Sequence, residues 1–389
     1  MPLNTISSDR LSTNVKNTNF TSAEKQDLTN DIKPLLGSSG GGNKNKLVNG
    51  SMQVAQRGTS QTGVNSSGYK NVCDRWRFNA SGSNVGTYTV SQSTTTPDGF
   101  GASLKIDCTT ARTPASNELY EVEQRIEGQN LQDFAKGTSA AKQFAVSFYV
   151  KTNVSGNYVV WLYDADNNRN IGAVYTVSDS NWNRYTVSFP ADTTGAFGND
   201  NARSLDLRFV LLSGSDFTSG TLPTTAWEST SNANSRAGQT ANVASSTSND
   251  WYLTGVQLEV GSVATEFEHR SFGQELALCM RYYETHNSLA TAKTTDGSIT
   301  SYWSTVTSND SNTLVIPTGI IYKVPKRASP TVTIYNPGNT ATAARVSAQG
   351  TERTVTATYG GPNALTRIYV SGASAGNYVT YNWEASAEL

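Results

Sequence analysis

Two stretches carry the strictest alternation of apolar and polar positions. In FAVSFYVK (144–151), Phe144, Val146, Phe148 and Val150 fall on one face; in LDLRFVLL (205–212), Leu205, Leu207, Phe209 and Leu211 do so. A period of two places successive side chains on opposite faces, so each run predicts a strand with one face buried. Further strands are predicted at 47–55, 72–79, 85–92, 102–108, 119–127, 157–164, 171–177, 182–189 and 251–260, and the two alternating runs extend to 143–151 and 204–212. The run 156–177 reads as a strand pair closed by the turn DADNNRN. Short strands separated by Gly- and Asn-containing turns predict a two-sheet antiparallel sandwich. No helical run of useful length interrupts 47–267, which argues against an α/β architecture.

Helical periodicity occurs twice. Residues 20–36 open on Phe20, offer Thr21 and Glu24 as a capping box, and place Leu28 and Ile32 on one apolar face before Pro34. Such a helix is too short to hold alone and needs a partner surface. The tract 37–46, GSSGGGNKNK, then reads as a flexible linker. The second helix, FGQELALCMRYY (272–283), puts Leu276, Met280 and Tyr283 on a common face. Beyond it, alternation returns in 331–335, 345–350, 353–359, 366–370 and 378–389. The fold predicted is all-β. An N-terminal arm with a short helix (1–42) precedes a large antiparallel β-sandwich of jelly-roll type (43–267). A linker with a short helix (268–283) leads to a smaller C-terminal β-sandwich (284–389). Residues 213–250 are too long for an ordinary sandwich loop. Disorder, or an ordered loop docked on a neighbour through Trp227, both fit them.

Composition narrows the chemistry. Of 389 residues, 16% are charged and the formal net charge is -1, so there is no broad positive field to follow a phosphate backbone. A nucleic-acid partner is not expected. Nor is membrane insertion, because no run reaches the roughly 18 apolar residues a spanning helix needs. The opening residues also lack the apolar core of a signal peptide. Cys73, Cys108 and Cys279 form no CxxC pair and read as buried small hydrophobes.

Candidate catalytic groups are sparse. His269 and His286 are the only histidines, and no GxSxG elbow is present, so serine-hydrolase chemistry has little support. His269, between Glu268 and Arg270, reads as a brace at a corner of the chain. Glu118, Glu121, Glu123 and Glu127 are the densest acidic set; alternation makes them a ladder on a solvated face, and a glycosidase pair would need one of them buried. No cofactor is implied. Asp164 and Asp166 resemble a calcium loop in composition but lack its glycine and distal glutamate; a structural calcium and an ordinary polar hairpin both remain open. Flat aromatic rings suit sugar stacking, which marks Trp161, Tyr163, Trp182 and Trp227, although alternation assigns several such rings to a core.

Three stretches carry a family resemblance: LVNGSMQVAQRGTS (47–60) with CDRWRF (73–78); WYLTGVQLEVGSVATEFEHRSFGQELALCMRYYE (251–284); and VTYNWEASAEL (379–389). Together they resemble tailed-bacteriophage fibre and related virion appendage proteins. That resemblance implies a sandwich similar to carbohydrate-binding modules followed by a smaller β domain, non-enzymatic, commonly homotrimeric, with host surface polysaccharide as ligand. It assigns structural roles to Glu259, Gly261, Phe267, His269, Arg270, Glu275 and Tyr282 at the junction. It also implies core packing by Trp76, pairing of Arg57 or Arg75 with acids, and virion attachment through Phe20, Leu28 and Ile32. The chain departs from long fibres in having no coiled coil or repeat shaft. A short tail fibre, made in the host cytoplasm and bound to other virion proteins, fits best. A head fibre or capsid decoration protein and a virion-associated polysaccharide depolymerase are the alternatives.

Overall fold

The computed structural model describes residues 44–70, 72–82, 85–286, 302–305, 308–310, 313–336, 341, 343–346, 351–371 and 378–389. The helix expected at 20–36, with Phe20, Leu28 and Ile32, lies outside them. Residues Asn45–Leu389 form one compact unit, all-β with short helices only.

Thirteen strands build the first sandwich: β1 (Ser60–Val64), β2 (Gly68–Tyr69), β3 (Arg77–Ser81), β4 (Thr87–Ser93), β5 (Ser103–Thr110), β6 (Leu119–Glu127), β7 (Phe144–Thr152), β8 (Gly156–Asp164), β9 (Arg169–Val177), β10 (Asn183–Phe189), β11 (Arg203–Ser213), β12 (Glu228–Ser229) and β13 (Asp250–Val260). Sheet I has the order β1-β4-β5-β13-β7-β10 and sheet II the order β12-β9-β8-β11-β6-β3-β2. The alternating faces read from the sequence meet between them. Phe148 of β7 packs edge-on against Phe209 of β11 with ring centres 4.9 Å apart, and Phe209 lies 6.2 Å from Trp251 of β13. Trp76, Trp251 and Phe148 are fully enclosed, and burying a side chain of that size stabilises a fold by about 1.5–3 kcal/mol.

One predicted strand is absent and another is shortened. Residues 47–55 and 72–76 are turns and bends, because Asn49, Met52 and Arg75 take positive φ (59°, 59° and 70°), which breaks a ladder; of the strand predicted at 72–79, residues 77–79 fall in β3. Asn49 holds this corner. Its Nδ2 donates to Val54 O and Asp74 O (2.9 Å each), and its Oδ1 accepts from Val54 N. The end of the expected flexible linker is likewise pinned, since Asn45 Nδ2 donates to Val256 O at 2.9 Å and Lys46 N to Leu258 O at 2.8 Å.

The second β region contains β14 (Tyr283–Thr285), β15 (Tyr302–Thr305), β16 (Ser308–Asp310), β17 (Thr313–Ile321), β18 (Thr331–Tyr335), β19 (Ala343–Val346), β20 (Thr351–Gly360), β21 (Ala364–Ser371) and β22 (Tyr378–Ser386). β22 pairs with β14, β15, β18 and β19, and Ile334, Ile368, Val370, Tyr381 and Trp383 lie in its core. Between the two regions runs α1 (Phe272–Met280), started by a capping box in which Ser271 Oγ accepts from Gln274 N. It is shorter than predicted, and its buried side is Glu275, Cys279 and Met280 rather than Leu276, Met280 and Tyr283. Tyr283 has already entered β14. All three cysteines are buried and free. Among the described residues no helix is long and apolar enough to cross a membrane.

Candidate functional site

The outer faces of the two sheets have opposite fates. On sheet II, alternation turns Glu121 and Glu123 of β6, Asp206 and Arg208 of β11, and Trp161 and Tyr163 of β8 outward. This is not the solvated ladder expected for the glutamates. Residues 213–250 are ordered and fold over the same sheet rather than onto a neighbour, seating Phe217, Leu222 and Ala237 against Leu119, Val159 and Val210. Beneath them Arg208 Nη1 meets Glu121 Oε2 at 3.1 Å, Arg208 Nε lies 2.9 Å from Glu123 Oε2, and Arg236 Nε donates to Glu121 Oε1 at 2.7 Å. Burial pushes the Glu121 carboxyl up, but Arg236 and Arg208 outweigh it and hold it below its ordinary value. Arg77 and Arg125 hold Glu123 as well (2.5 and 3.0 Å), Arg281 Nη2 donates to Glu127 Oε2 at 2.7 Å, and Arg112 takes Glu118.

Two of the four candidate sugar platforms are consumed here. Trp161 is 3% exposed, with the Arg236 guanidinium 3.7 Å above its ring and its Nε1 donating to Asn170 Oδ1. Trp227 is 5% exposed, packs 5.4 Å from Phe144 and donates Nε1 to Pro190 O; it anchors residues 213–250 to the chain's own core. Tyr163 stacks on Trp161 at 5.3 Å and stays half-buried.

The candidate calcium residues meet an internal cation instead. Lys136 is fully enclosed. Its Nζ donates to Asp164 Oδ2 (2.5 Å), Gly195 O (2.7 Å) and Thr194 O (3.1 Å), and lies 3.1 Å from Asp192 Oδ2. The rings of Phe197 and Trp227 flank it at 5.2 and 5.1 Å. Asp164 Oδ1 accepts from the backbone N–H groups of Asp166 and Asn167, and Asp166 Oδ2 caps Gly198 N. Among the described residues no cluster of three or more His, Cys, Asp or Glu is placed to hold a metal ion. Nothing in the residues around Lys136 distinguishes it from an ordinary surface lysine in sequence.

Sheet I keeps part of its outer face open. The register sets Tyr252 of β13 opposite Lys105 of β5 and Lys151 of β7. Trp182, just before β10, meets Tyr252 edge-on at 6.1 Å. One row on, Thr254 lies opposite Tyr149, and Tyr149 opposite Arg184. Lys105, Lys151, Trp182, Tyr149 and Arg184 are half-buried. Of the four rings singled out in the sequence, Trp182 is the one on this face; Tyr252, Lys105 and Lys151 were missed, although the alternation of β5, β7 and β13 would have put them together.

The lower half of that face is closed by the junction. Gly261 leaves β13 at φ 146°, and the chain turns back over Gln257 and Glu259. Buried Glu259 accepts from Thr265 N at 2.8 Å, and Glu268 N donates to Gln257 Oε1 at 2.8 Å. Phe267 and exposed His269 pack on Phe100 (5.1 Å each), which lies 5.3 Å from Tyr149. Gly255 makes this stack fit, since a Cβ there would sit 2.7 Å from Phe100. The bracing contacts come from Arg270, whose Nη1 donates to Leu47 O at 2.9 Å and whose Nη2 donates to Asn45 O, and from Glu275, which accepts from Asn49 N.

The junction continues into a clamp on residues 388–389. Glu388 accepts from Arg57 Nη2 at 2.8 Å and from Arg75 Nη1. Arg57 lies over the Tyr283 ring and Arg75 over the Tyr282 ring, both at 3.6 Å. Asp74 pairs with Arg57 at 3.7 Å and accepts from Gln56 Nε2 at 2.6 Å, so the adjacent Asp74 and Arg75 serve different partners. Burial pushes the Asp74 carboxyl up to about 6, despite Arg57. The two β regions are thus locked by paired, enclosed charges.

No family model matches the chain. No curated protein sequence matches it either. Among solved structures it is similar to the enzymatically active domain of tailspike protein 4 of bacteriophage CBA120, at 12% identity and TM-score 0.28, covering 56% of this chain and 21% of that one. It is similar to a CBM4 structure at 12% identity and TM-score 0.27, covering 55% and 97%. It is also similar to the family 11 carbohydrate-binding module of a cellulosomal cellulase of Clostridium thermocellum at 11% identity and TM-score 0.25, covering 53% and 99%. The chain spans about a fifth of the length of the tailspike it matches.

Proposed function

We propose that this chain is a non-enzymatic structural protein of a bacteriophage virion. In this reading it is a short tail fibre, homotrimeric, attached to the particle by residues 1–42 and binding host surface glycan with its sandwich. The observation that carries the binding half is the row Lys105–Tyr252–Lys151–Trp182 on sheet I, in which Tyr252 is enclosed and Trp182, with Tyr149 beside it, supplies the half-exposed rings. Rings with a few convergent polar groups are the usual make-up of a ligand site, and pyranose C–H faces stack on such rings. The matching face of sheet II is closed at its centre. The virion half rests on the resemblance carried by 47–60, 73–78, 251–284 and 379–389. A depolymerase is disfavoured because Glu121, Glu123 and Glu127 are each held by arginine, and, despite burial, the arginines keep the Glu121 and Glu127 carboxyls below their ordinary values, the opposite of what a general acid needs.

Two measurements test the reading. Immunogold labelling of intact virions is expected to mark the tail; label on the capsid alone would shift the assignment to a head fibre or decoration protein, and no label would refute the virion role. Purified protein is expected to bind host capsule or lipopolysaccharide without releasing new reducing ends, and Trp182→Ala is expected to lose most of that binding. Unchanged binding in this variant would refute the site.

A further inference from the structure

We infer that the glycan taken by sheet I is anionic: a carboxylated saccharide whose acid group sits beside Lys151 and Arg184. This rests on the glycan-binding reading above and names its substrate class. The charges on the open face decide it. Lys105 is neutralised by Asp107 at 3.0 Å. Asp250 accepts from the Tyr252 hydroxyl at 3.1 Å and lies 3.9 Å from Lys105. Asp179, near Trp182, is turned into its own loop, accepting from Asn181 N at 2.8 Å and Asn183 Nδ2 at 2.9 Å. Those are the acids on the open part of the face; Glu259, under its closed half, is taken by Thr265 and Gln257. Two cations are left without a counter-charge. Lys151 has no ion pair or hydrogen bond among the described residues, and Arg184 has only the carbonyl of Thr265 as its acceptor.

These two side chains stand on neighbouring strands, β7 and β10, and in adjacent rows. Lys151 flanks Tyr252, while Arg184 flanks Tyr149. Lys151 stands between Tyr252 and Trp182 in one row, and Arg184 follows Trp182 two residues along the same strand edge, so both cations border the Trp182 ring. A pyranose stacked on Trp182 would present its exocyclic substituents to them. A carboxylate there gains charge-assisted hydrogen bonds, and an arginine can take it bidentately. A neutral hydroxymethyl group in the same place gains only ordinary hydrogen bonds.

The test uses the full chain in titration calorimetry, with hexasaccharides containing glucuronate, galacturonate or sialate. Each is compared with its methyl-esterified, neutral counterpart. At 20 mM salt, at least one acid form is expected to bind about tenfold more tightly than its ester, consistent with one or two half-exposed charge pairs. The preference is expected to collapse at 0.5 M salt, because exposed charges are then screened. Lys151→Gln and Arg184→Gln are each expected to lower the ratio of acid to ester affinity, with circular dichroism confirming an unchanged fold. Acid and ester binding equally in every pair would overturn the inference and leave the glycan-binding reading standing. A preference that survives the Lys151→Gln, Arg184→Gln double variant would also overturn it. If no saccharide binds, acid, ester or intact host polysaccharide, the glycan-binding reading falls and this inference falls with it.

Discussion

Replacing Glu388 should loosen the second β region from the first more than any other single change at the junction. The Glu388 side chain is 7% exposed and neutralises two guanidinium groups that are themselves 9% (Arg57) and 1% (Arg75) exposed. Burial alone would lower the Arg75 pKa; Glu388 is the main group that overturns this and raises it instead. Without Glu388, Arg57 keeps Asp74 at 3.7 Å, but Arg75 retains Tyr69 Oη at 3.3 Å, Arg125 O at 2.7 Å and the Tyr282 ring at 3.6 Å, none of them charged. Breaking a buried pair by removing one partner costs about 3–5 kcal/mol, since a charge is left enclosed and unpaired. Glu388→Gln retains an acceptor and should fall near 3 kcal/mol; Glu388→Ala should lie higher. The assay is urea unfolding followed by tryptophan fluorescence, alongside limited proteolysis of the second region, whose release should accelerate. A double-mutant cycle with Arg75→Met isolates the pair, because Arg75→Met removes the stranded charge and should recover much of the Glu388→Ala loss. Losses below about 1 kcal/mol in both single variants, with no coupling in the cycle, would show that the clamp is solvated and the reasoning wrong.

Four further outcomes concern the same fold. Asp74 has a folded pKa of about 6, above its ordinary 3.8, so the folded state holds this proton more tightly than the unfolded chain. Its contribution is fully present below about pH 4 and is lost as pH rises through 6, a swing on the order of 3 kcal/mol. Stability measured between pH 4 and 7 should show this slope in the parent and not in Asp74→Asn. Glu121 and Asp206, whose folded pKa values are lowered, act in the opposite sense, with stability present above about pH 4 and lost on acidification below it. Lys136→Ala should lose about 3–5 kcal/mol by stranding Asp164. Because Asp164, Asp192 and two carbonyls remain around the vacated position, millimolar calcium should restore part of the melting temperature in that variant and leave the parent unmoved; no calcium effect on the variant would show that the oxygens close in on themselves. Gly255→Ala should cost about 2 kcal/mol, combining a positive φ of 60° with a clash against Phe100 and Tyr149; a melting temperature equal to the parent's would mean the aromatic stack moves freely.

Much of this molecule is legible as local pattern. Strict alternation in β7 and β11 states which side chains point together, and Phe148 does meet Phe209 across the sandwich. The same alternation puts Glu121 with Glu123, and Lys105, Tyr252 and Lys151 on common faces, because the pleat fixes direction residue by residue. The misread strand at 47–55 marks the limit of such patterns. Asn49 and Met52 adopt left-handed backbone in a corner where Asn49 meets buried partners 25 or more residues away, Asp74 O and Glu275, and no window of neighbours contains that demand.

Which face stays open is a different kind of fact. Glu121 and Lys151 both look like outward polar residues on a strand, yet one is enclosed under residues 213–250 and held by Arg236, and the other stands free on sheet I. Trp161, Trp182 and Trp227 are the same residue type in similar polar-aromatic surroundings. One is roofed by an arginine, one is in the core and one is left half-exposed. These outcomes depend on where a long segment crosses after leaving its strand, and on charges such as Arg236 and Lys136 arriving from far along the chain. The sandwich is therefore written in the period of its strands. Its candidate ligand face is left over when long-range packing has covered everything else.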